Sequence, residues 1–489
     1  MVILRVYLSF LLLINPYFSS AQTQLRAADL QQDYAILRQA YQQLHPGLYQ
    51  YTPKEQMDRQ FDTCQQALDH DQTLGQAFLA IAKLTASIRC GHSQLNFWNQ
   101  DSTVQRALFG GPTCLPAYAR LIGQRFLVTH SVDPQLPASW EIQQINGQSI
   151  QHIIQRLLPY LRADGANNGK RFALLAITGK SFECFDIFYA LRFPLHQPAF
   201  WLRIHNPKTG QTKHVQVTAL THQQRKRLMD QQQPQTSMPM AQLTWLPGQI
   251  PLLRINSMVD YTTAFDLKGF IDSTFQLINQ KKSPYLLIDA RELEGGNDQY
   301  AKQIAAHLLT KSITIRPLQN TWAYVRLDSG LNRYIINSSW ADGWKYRSFA
   351  DYEVTSAGQY RSKSDQKPDT IHPVDHPFAG KTFLLTSSMN SSAGFILARL
   401  LQQHRLATLV GQTTGGNQKG ITAGAVFFVR LPHSGIEVDV PLIGTGYDVA
   451  KHLPDAGIQP DWPVEPTVQD WVSGKDTPVK TILERIQHE

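Results

Sequence analysis

The stretch KTFLLTSSMNSSAGFILARLL, residues 381–401, decides the fold of this chain. Residues 383–385 form a short apolar run of strand length, and a polar turn rich in serine follows. From Ile396 onward, apolar residues recur at helical spacing. The stretch therefore predicts a strand that turns directly into an amphipathic helix, with Ser392 at the start of that helix.

Ser392 allows two interpretations at this position. Serines often cap helices, so in the first interpretation Ser391 or Ser392 is an ordinary N-cap. In the second, Ser392 is a nucleophile, because the first amides of a helix lack intrahelical partners and the helix dipole favours negative charge there. The neighbouring amide of Ala393 is then placed to hold an oxyanion. This stretch by itself leaves both interpretations open.

A second stretch, YLLIDARELEGGN at residues 285–297, adds a glycine turn. It predicts a buried strand that ends in an Asp-x-Arg sequence at Asp289, then a turn closed by Gly295 and Gly296, and then a helix. Because glycine has no Cβ atom, such a turn lets a backbone amide approach a substrate oxygen closely.

Together the two stretches resemble the C-terminal-processing, or tail-specific, serine peptidases, including their tricorn-core and retinoid-binding-protein-like relatives. The segment Gly-Ile-Gln-Pro-Asp at residues 457–461 is similar to the closing motif of that family. The three motifs lie within residues 250–489. The resemblance implies a crotonase-like core, an α/β fold built as a ββα spiral.

The same resemblance implies a set of site residues. Ser392 corresponds to the nucleophile, and the amides of Ala393 and of Gly295 or Gly296 correspond to the oxyanion hole. Asp455, just before the closing motif, stands nearest to the family's acidic residue, although it also suits a turn. Since no cofactor is implied and no metal or nucleotide motif is present, we expect no cofactor.

Two residues compete for the role of general base. His92 follows a three-helix run in a segment that resembles the Gly-His-(Ser/Thr) turn of the tricorn-like branch, and histidine has a suitable pKa for this work near neutrality. In the tail-specific branch the base is a lysine, but Asn417 occupies that position here, and Lys419 lies two residues beyond it. We favour His92. A cysteine nucleophile at Cys90 is disfavoured, since residues this close in sequence rarely align as nucleophile and base.

The chain divides into four predicted segments. Residues 1–21 read as a signal peptide, residues 22–98 as a helical N-terminal domain, residues 99–230 as a mostly β domain, and residues 240–489 as the α/β peptidase core. Within the β domain, an Ile-Asn-Gly-x-x-Ile pattern from Ile145 resembles the strand, turn and helix of a PDZ-like domain. A Gln- and Pro-rich run joins this domain to the core.

Composition limits the remaining possibilities. The first half of the chain carries the whole net charge of +8, but its one tight cluster, from Arg225 to Arg227, lacks any nucleic-acid signature and is interpreted as a solvated face. The four cysteines have no zinc spacing, and their pairing cannot be deduced. No segment after the signal peptide is apolar enough to span a membrane.

The sequence therefore predicts an exported serine peptidase, periplasmic or secreted, that acts on peptides or on unstructured C-terminal tails. Its partner is a peptide or protein substrate rather than nucleic acid, and its oligomeric state is left open. Two alternatives remain: a non-catalytic binding protein on the same fold, and an esterase that uses the same site.

Overall fold

The computed structural model describes residues 23–232, 239–260, 264–315, 319–336, 339–364, 368–447 and 453–488. The predicted signal peptide lies outside the described residues, and so does the linker between residues 233 and 238. Within the described part of the chain, no helix combines the length and the apolar character needed to cross a bilayer.

The N-terminal segment consists of three helices and a short antiparallel pair of strands. The predicted run of three helices is present, because each helix repeats apolar residues on one face and two of them end against proline or glycine turns. Thr73 and Gln76 form a reciprocal capping box at the start of the third helix. The elements are β1 (Gln24–Leu25), α1 (Ala27–Leu44), α2 (Lys54–Ala67), β2 (Gln72–Thr73) and α3 (Leu74–Ser87).

The segment after α3, from Gln94 to Trp98, forms no regular strand. Only Gln94 forms a β-bridge, with Asp439. The side-chain amides of Gln94, Asn96 and Asn99 donate instead to the buried Asp439 carboxylate. Side-chain hydrogen bonds thus take the place of a strand ladder.

The middle segment mixes one sheet with five helices, so its prediction as mostly β is only partly right. The sheet has the order β3-β4-β5-β7-β8, and the predicted strand, Asn-Gly turn and helix are present as β5, β6 and α5. The elements are α4 (Ser102–Phe109), β3 (Ala117–Ile122), β4 (Arg125–Ser131), β5 (Glu141–Ile145), β6 (Gln148–Ser149), α5 (Ile150–Leu157), α6 (Asn168–Ala173), α7 (Cys184–Arg192), β7 (Ala199–His205), β8 (Thr212–Thr218) and α8 (His222–Gln232), with a 3₁₀ turn at Leu158–Tyr160.

The basic cluster in α8 is not uniformly solvated, contrary to the prediction. Arg225 is buried and forms a two-pronged ion pair with Asp186, at 2.6 Å for the shorter contact. Its guanidinium also lies over the ring of Tyr118. A carboxylate 39 residues earlier in the chain makes this burial possible, and local sequence carries no sign of that pairing.

The C-terminal segment is built on a six-stranded sheet with the order β21-β18-β17-β11-β10-β9. All neighbours from β10 to β21 are parallel, and β9 is the single antiparallel strand. The elements are β9 (Ala241–Leu246), β10 (Ile250–Ile255), α9 (Leu267–Gln280), β11 (Tyr285–Asp289), α10 (Gln299–Leu308), β12 (Ile313–Ile315), β13 (Gln319–Trp322), α11 (Ser329–Asn332), β14 (Tyr352–Val354), β15 (Tyr360–Ser362), β16 (Asp369–Ile371), β17 (Lys381–Thr386), α12 (Ser392–Gln403), β18 (Thr408–Gly411), β19 (Ile421–Arg430), β20 (Glu437–Gly446), β21 (Trp462–Pro463), α13 (Val468–Val472) and α14 (Thr477–Ile486), with 3₁₀ turns at Ser339–Trp344 and Phe349–Asp351.

Two large apolar cores hold these layers together. One core lies between the parallel sheet and the helices α9, α10 and α12. The other runs from α1 through the middle sheet and into the long hairpin of β19 and β20. The N-terminal helices therefore share a core with the C-terminal half, and this architecture confirms the mixed α/β class predicted from the sequence.

Candidate active site

The two predicted motif turns meet at one edge of the parallel sheet. β11 and β17 are adjacent parallel strands, paired in register from Tyr285 with Lys381 to Asp289 with Leu385. The loops that follow adjacent parallel strands leave from the same edge, where α/β proteins commonly place their sites. The glycine turn after β11 and the serine turn after β17 therefore lie side by side.

Asn390 joins these two turns. Its side chain is completely buried and donates to the carbonyls of Ala290 and Leu293, at 2.6 and 2.9 Å. Its amide oxygen accepts the N–H of Ser387 at 2.7 Å. A single residue thus fixes the serine turn against the glycine turn, and the sequence did not single it out.

Ser392 begins α12 in a strained conformation. Its φ of +48° lies in the left-handed region, which costs a residue with a side chain about 1–3 kcal/mol and recurs at functional sites. Ser391 occupies the N-cap position without a side-chain capping bond. The Ser392 hydroxyl makes no hydrogen bond with any described residue. These contacts favour the nucleophile interpretation over a capping role.

Gly295 and Gly296 face this serine. A Cβ atom at Gly295 would lie 2.9 Å from the Cβ and 3.2 Å from the Oγ of Ser392. Gly296 has a φ of +131°, and a Cβ there would collide with the backbone of Met258. Both positions therefore require glycine, and the main chain of the turn lies directly beside the serine hydroxyl.

Both turns carry unpaired backbone donors. Within the described chain, the N–H groups of Gly295, Gly296 and Ala393 have no hydrogen-bond acceptor. The amide of Ala393 also lies at the N-terminus of a 12-residue helix, where the dipole favours negative charge. Such unpaired donors are the groups that stabilise a developing oxyanion.

His92 lines the same cleft as Ser392, Gly295 and Gly296. Its loop is anchored on both sides by the segment around residue 164. The N–H of Gly91 donates to Asp164 Oδ1 at 2.7 Å, and the carbonyl of Gly91 accepts from Arg162 at 2.7 Å. No hydrogen bond joins His92 to Ser392 here, as is frequent before substrate binds.

Asp164 is a candidate residue that the sequence analysis missed. It is 1% exposed, and its Oδ2 atom is buried without a hydrogen-bond partner in the described chain. The Nδ1 atom of His92 is buried and unpaired in the same way. One ring nitrogen of His92 and a carboxylate oxygen of Asp164 lie within 4.8 Å of each other. A small movement would let the carboxylate accept a hydrogen bond from the imidazole N–H.

The electrostatics of this pair suit a neutral histidine. Burial lowers the pKa of His92 below its ordinary value of 6.5, and the Asp164 carboxylate opposes that shift. Burial likewise raises the pKa of Asp164, against the positive charges of His92 and Arg162. A neutral imidazole at neutral pH is the form that accepts a proton.

Lys170, Arg162 and Glu294 form an ion cluster at the wall of the cleft, in which Lys170 is buried and the other two side chains are half-buried. Both cations contact Glu294 Oε1 at 2.9 Å, and Lys170 also donates to the carbonyl of Met389. Burial raises the pKa of Glu294, but the charges of Lys170 and Arg162 outweigh burial and hold that pKa well below its ordinary value. Through Gly91, Glu294 and Met389, the cluster ties together the histidine loop, the glycine turn and the serine turn.

Replacing Lys170 with methionine should therefore misalign the site. Displacement of a catalytic group by about 1 Å can cost roughly 10²-fold in rate, so we expect kcat to fall by about that factor while KM changes little. Steady-state kinetics and thermal unfolding of Lys170→Met check this expectation. Lys180→Met is the matched control, because Lys180 lines the cleft but is exposed. Equal losses in both variants would contradict the positioning role.

Asp455 and Lys419 lie elsewhere. The Asp455 carboxylate accepts hydrogen bonds from Asn417, from the N–H of Ala166 and from Arg89. It thereby holds the loop that carries Asp164 and has no hydrogen bond with His92. Lys419 is exposed and does not line the cleft of Ser392.

Part of this chain matches a known protein family. Residues 249–463 match the model of peptidase family S41. The part of the chain that carries the glycine turn and the serine turn therefore resembles peptidase family S41. The family recognised in the sequence is confirmed, and with it the enzyme class of a serine-type peptidase. The matched residues include Ser392, both turn glycines and Asp455, whereas His92 and Asp164 lie outside them.

Solved structures extend the similarity beyond the S41 segment. Mature CPAF complexed with lactacystin has a TM-score of 0.61 at 14% identity, covering 94% of this chain and 97% of that chain. Mature CPAF alone has a TM-score of 0.60 at 13% identity, covering 91% and 94%. At these identities the similarity concerns the fold alone. A comparison with curated proteins gives no significant match.

Proposed function

We propose that this protein is an exported serine peptidase that hydrolyses peptides or unstructured C-terminal tails. The proposal rests chiefly on the strained Ser392, whose unbonded hydroxyl lies beside unpaired amides in a cleft that also contains His92. Strain of this kind persists where the surrounding structure requires it, and it is frequent at active sites.

The proposed reaction uses the groups already described. Ser392 Oγ attacks the scissile carbonyl while His92 takes the hydroxyl proton, and the new oxyanion is held by the amides of Ala393 and of Gly295 or Gly296. His92 then gives the proton to the leaving amine, and an acyl-enzyme remains. In the second half of the reaction His92 takes a proton from water, and the resulting hydroxide adds to the acyl carbonyl. The bond to Ser392 Oγ then breaks, the proton returns from His92 to Oγ, and the carboxylic acid product leaves. Asp164 orients the imidazole and stabilises its charged form.

Two adjoining clefts support an extended substrate. The cleft of Ser392 has a volume of about 1230 Å³, and its neighbour has a volume of about 1600 Å³. Arg120, Arg162, Glu292 and Glu294 line both clefts. A polypeptide segment laid across this shared wall would reach Ser392 with chain on both sides of the scissile bond. A small ester substrate would occupy only a short part of such a groove.

We also propose the finer architecture that the sequence suggested. The parallel strands β10, β11 and β17 of the C-terminal sheet, each followed by a helix, are consistent with a crotonase-like ββα spiral. The succession β5, β6 and α5 is consistent with a PDZ-like middle domain. The division at residues 22–98, 99–230 and 240–489, and export after cleavage of residues 1–21, belong to the same proposal.

Hydrolysis assays test the proposed function. Purified protein is incubated with a diverse peptide library and with an intrinsically unstructured protein, and products are identified by mass spectrometry; small esters are assayed in parallel. We expect peptide cleavage with kcat/KM well above that for esters. Turnover of esters alone would favour an esterase, and binding of peptides without any product would favour a non-catalytic binding protein.

Asp164→Asn tests the proposed orienting carboxylate. In a serine triad this change leaves the geometry intact but costs about 10⁴-fold in kcat, and we expect a loss on that order here. Removing the negative charge should also lower the pKa of His92 further, because the charged imidazole loses its partner. The acid limb of the kcat/KM profile should therefore move to lower pH. Asp455→Asn is the control, and its acid limb should stay at the wild-type pH because Asp455 has no hydrogen bond with His92. An acid limb that does not move in Asp164→Asn would contradict the assignment.

A further inference from the structure

Cys90, His92 and Asp164 place three different donor types together. The Cys90 Sγ, one His92 ring nitrogen and one Asp164 carboxylate oxygen all lie within 4.8 Å of one another. Two side-chain atoms of these residues, His92 Nδ1 and Asp164 Oδ2, are buried without hydrogen-bond partners among the described residues. The Asp164 side chain is 99% buried, so this unpaired oxygen is shielded from water as well.

Cys90 is buried in the cluster and makes two hydrogen bonds. Its thiol donates to the carbonyl of Thr422 at 3.3 Å, and its sulfur accepts the N–H of His92 at 3.4 Å. A thiol is a weak donor and a weak acceptor. Ligation of a metal ion requires this thiol to lose its proton, as it does for every cysteine ligand.

The donor set fits zinc. Sulfur, imidazole nitrogen and carboxylate oxygen are the ligands that Zn²⁺ prefers, at about 2.0–2.3 Å, with water commonly at the fourth position. Closing from a 4.8 Å spacing to tetrahedral ligation requires movements on the order of 1 Å. Charge also balances, since Zn²⁺ neutralises one thiolate and one carboxylate. The nearby Arg162 is already paired with Glu294.

We propose that Cys90, His92 and Asp164 bind one Zn²⁺ ion and that this ion inhibits the peptidase. On binding, the thiol proton leaves to solvent and a zinc–sulfur bond forms, as thiol ligation requires. His92 enters the coordination shell and is no longer a base for Ser392. The sequence predicts no such site, because Asp164 lies far from Cys90 along the chain. The inhibition rests on the proposed function, whereas the metal site does not.

Cobalt spectroscopy tests the site without any activity assay. Co²⁺ bound by a thiolate gives a charge-transfer absorption band in the near ultraviolet, so metal-free protein titrated with Co²⁺ should develop this band with one ion bound per chain. Zn²⁺ should then displace the Co²⁺ and abolish the band. Cys90→Ala should lack the band, and Cys184→Ala, which alters a half-buried cysteine outside the cluster, should retain it.

The affinity change gives a second measurement. Substitutions that merely support a metal ligand cost roughly 10–100-fold in affinity, so removal of the Cys90 ligand should weaken Zn²⁺ binding at least about 100-fold in competition with a chromophoric chelator. His92→Ala should weaken it similarly, which guards against a folding defect peculiar to one variant. An absent band, or a band that persists in Cys90→Ala, would overturn the site.

Peptide hydrolysis then tests the regulatory half of the proposal. Zn²⁺ should inhibit the wild-type protein reversibly, with activity restored by a chelator. In Cys90→Ala the inhibitory concentration should rise at least about 100-fold, relative to the metal-free rate of that same variant. Full activity with Zn²⁺ bound would overturn the inhibition. A protein that shows the Co²⁺ band but never cleaves peptides would retain the metal site and refute the peptidase function instead.

Discussion

Replacing Ser392 with alanine is expected to lower kcat by about 10⁶-fold, the scale on which loss of a serine nucleophile acts in other serine peptidases. The hydroxyl is the only group of this residue that makes the acyl bond, and the alanine variant keeps the backbone, the helix start and the neighbouring amides. The φ of +48° is retained at no added cost, because serine and alanine both carry a Cβ. Single-turnover hydrolysis of a cleaved peptide measures the loss.

Ser391 and Ser388 supply matched controls for this prediction. Ser391 lines the same cleft but has ordinary extended dihedral angles and makes no capping bond. Ser388 donates to the carbonyl of Thr413 at 3.3 Å, in the turn before the helix. Alanine at either position should leave most of the activity. If Ser391→Ala is inactive and Ser392→Ala is active, the nucleophile is the preceding residue.

Replacing His92 with alanine should cost nearly as much, because a serine hydroxyl without its base is a weak nucleophile and the triad acts as a unit. We expect at least a 10³-fold loss of kcat, approaching about 10⁶-fold. Lys419→Ala should cost little, since Lys419 is exposed and outside the cleft. An inactive Lys419→Ala beside an active His92→Ala would transfer the role of base to the lysine.

The pH profile separates these bases independently. Burial lowers the pKa of His92, so kcat/KM should rise with pH through an apparent pKa below 6.5 and reach a plateau near neutrality. A lysine base would place the rising limb at a higher pH, because the ordinary lysine pKa is about 10.4 and only deep burial brings it down. The profile must be measured under metal-free conditions.

Local signals explain what the sequence predicted correctly. The strands β11 and β17 are short apolar runs, and the turns after them carry glycine and serine. The order and the boundaries of these strands can therefore be predicted from the sequence alone. The spacing of Leu30, Tyr34, Leu37 and Tyr41 likewise predicts α1, which buries all four residues. Each of these features depends on neighbours within a few residues along the chain.

The missed features depend on distant partners. Asp164 lies in an Asp-Gly sequence that is typical of a turn, and only burial beside the histidine loop gives it a candidate role. Asn390 is one polar residue among several in its turn until the Ala290 and Leu293 carbonyls lie next to it. Arg225 reads as solvated until Asp186 pairs with it. A sequence pattern shows how residues are spaced along the chain. None of these three pairings leaves such a pattern.

Asn417 stands where the tail-specific branch of the family has its lysine. Its pairing with Asp455 is another contact that the sequence does not indicate. Asn417 is fully buried, and its amide donates to the Asp455 carboxylate at 2.7 Å and to the Asp164 carbonyl at 3.3 Å. The sequence shows only that a lysine is missing there. The structure shows that an uncharged donor holds the loop of Asp164, which is consistent with a histidine base in this chain.

Covalent labelling tests the central claim, that His92 activates Ser392, most directly. Metal-free protein is treated with a fluorophosphonate probe, which reacts only with activated serines, and the adduct is mapped by peptide mass spectrometry. We predict a single adduct on Ser392, formed at a rate that falls at least about 10³-fold in His92→Ala. No adduct, an adduct on another serine, or an unchanged rate in His92→Ala would contradict the account.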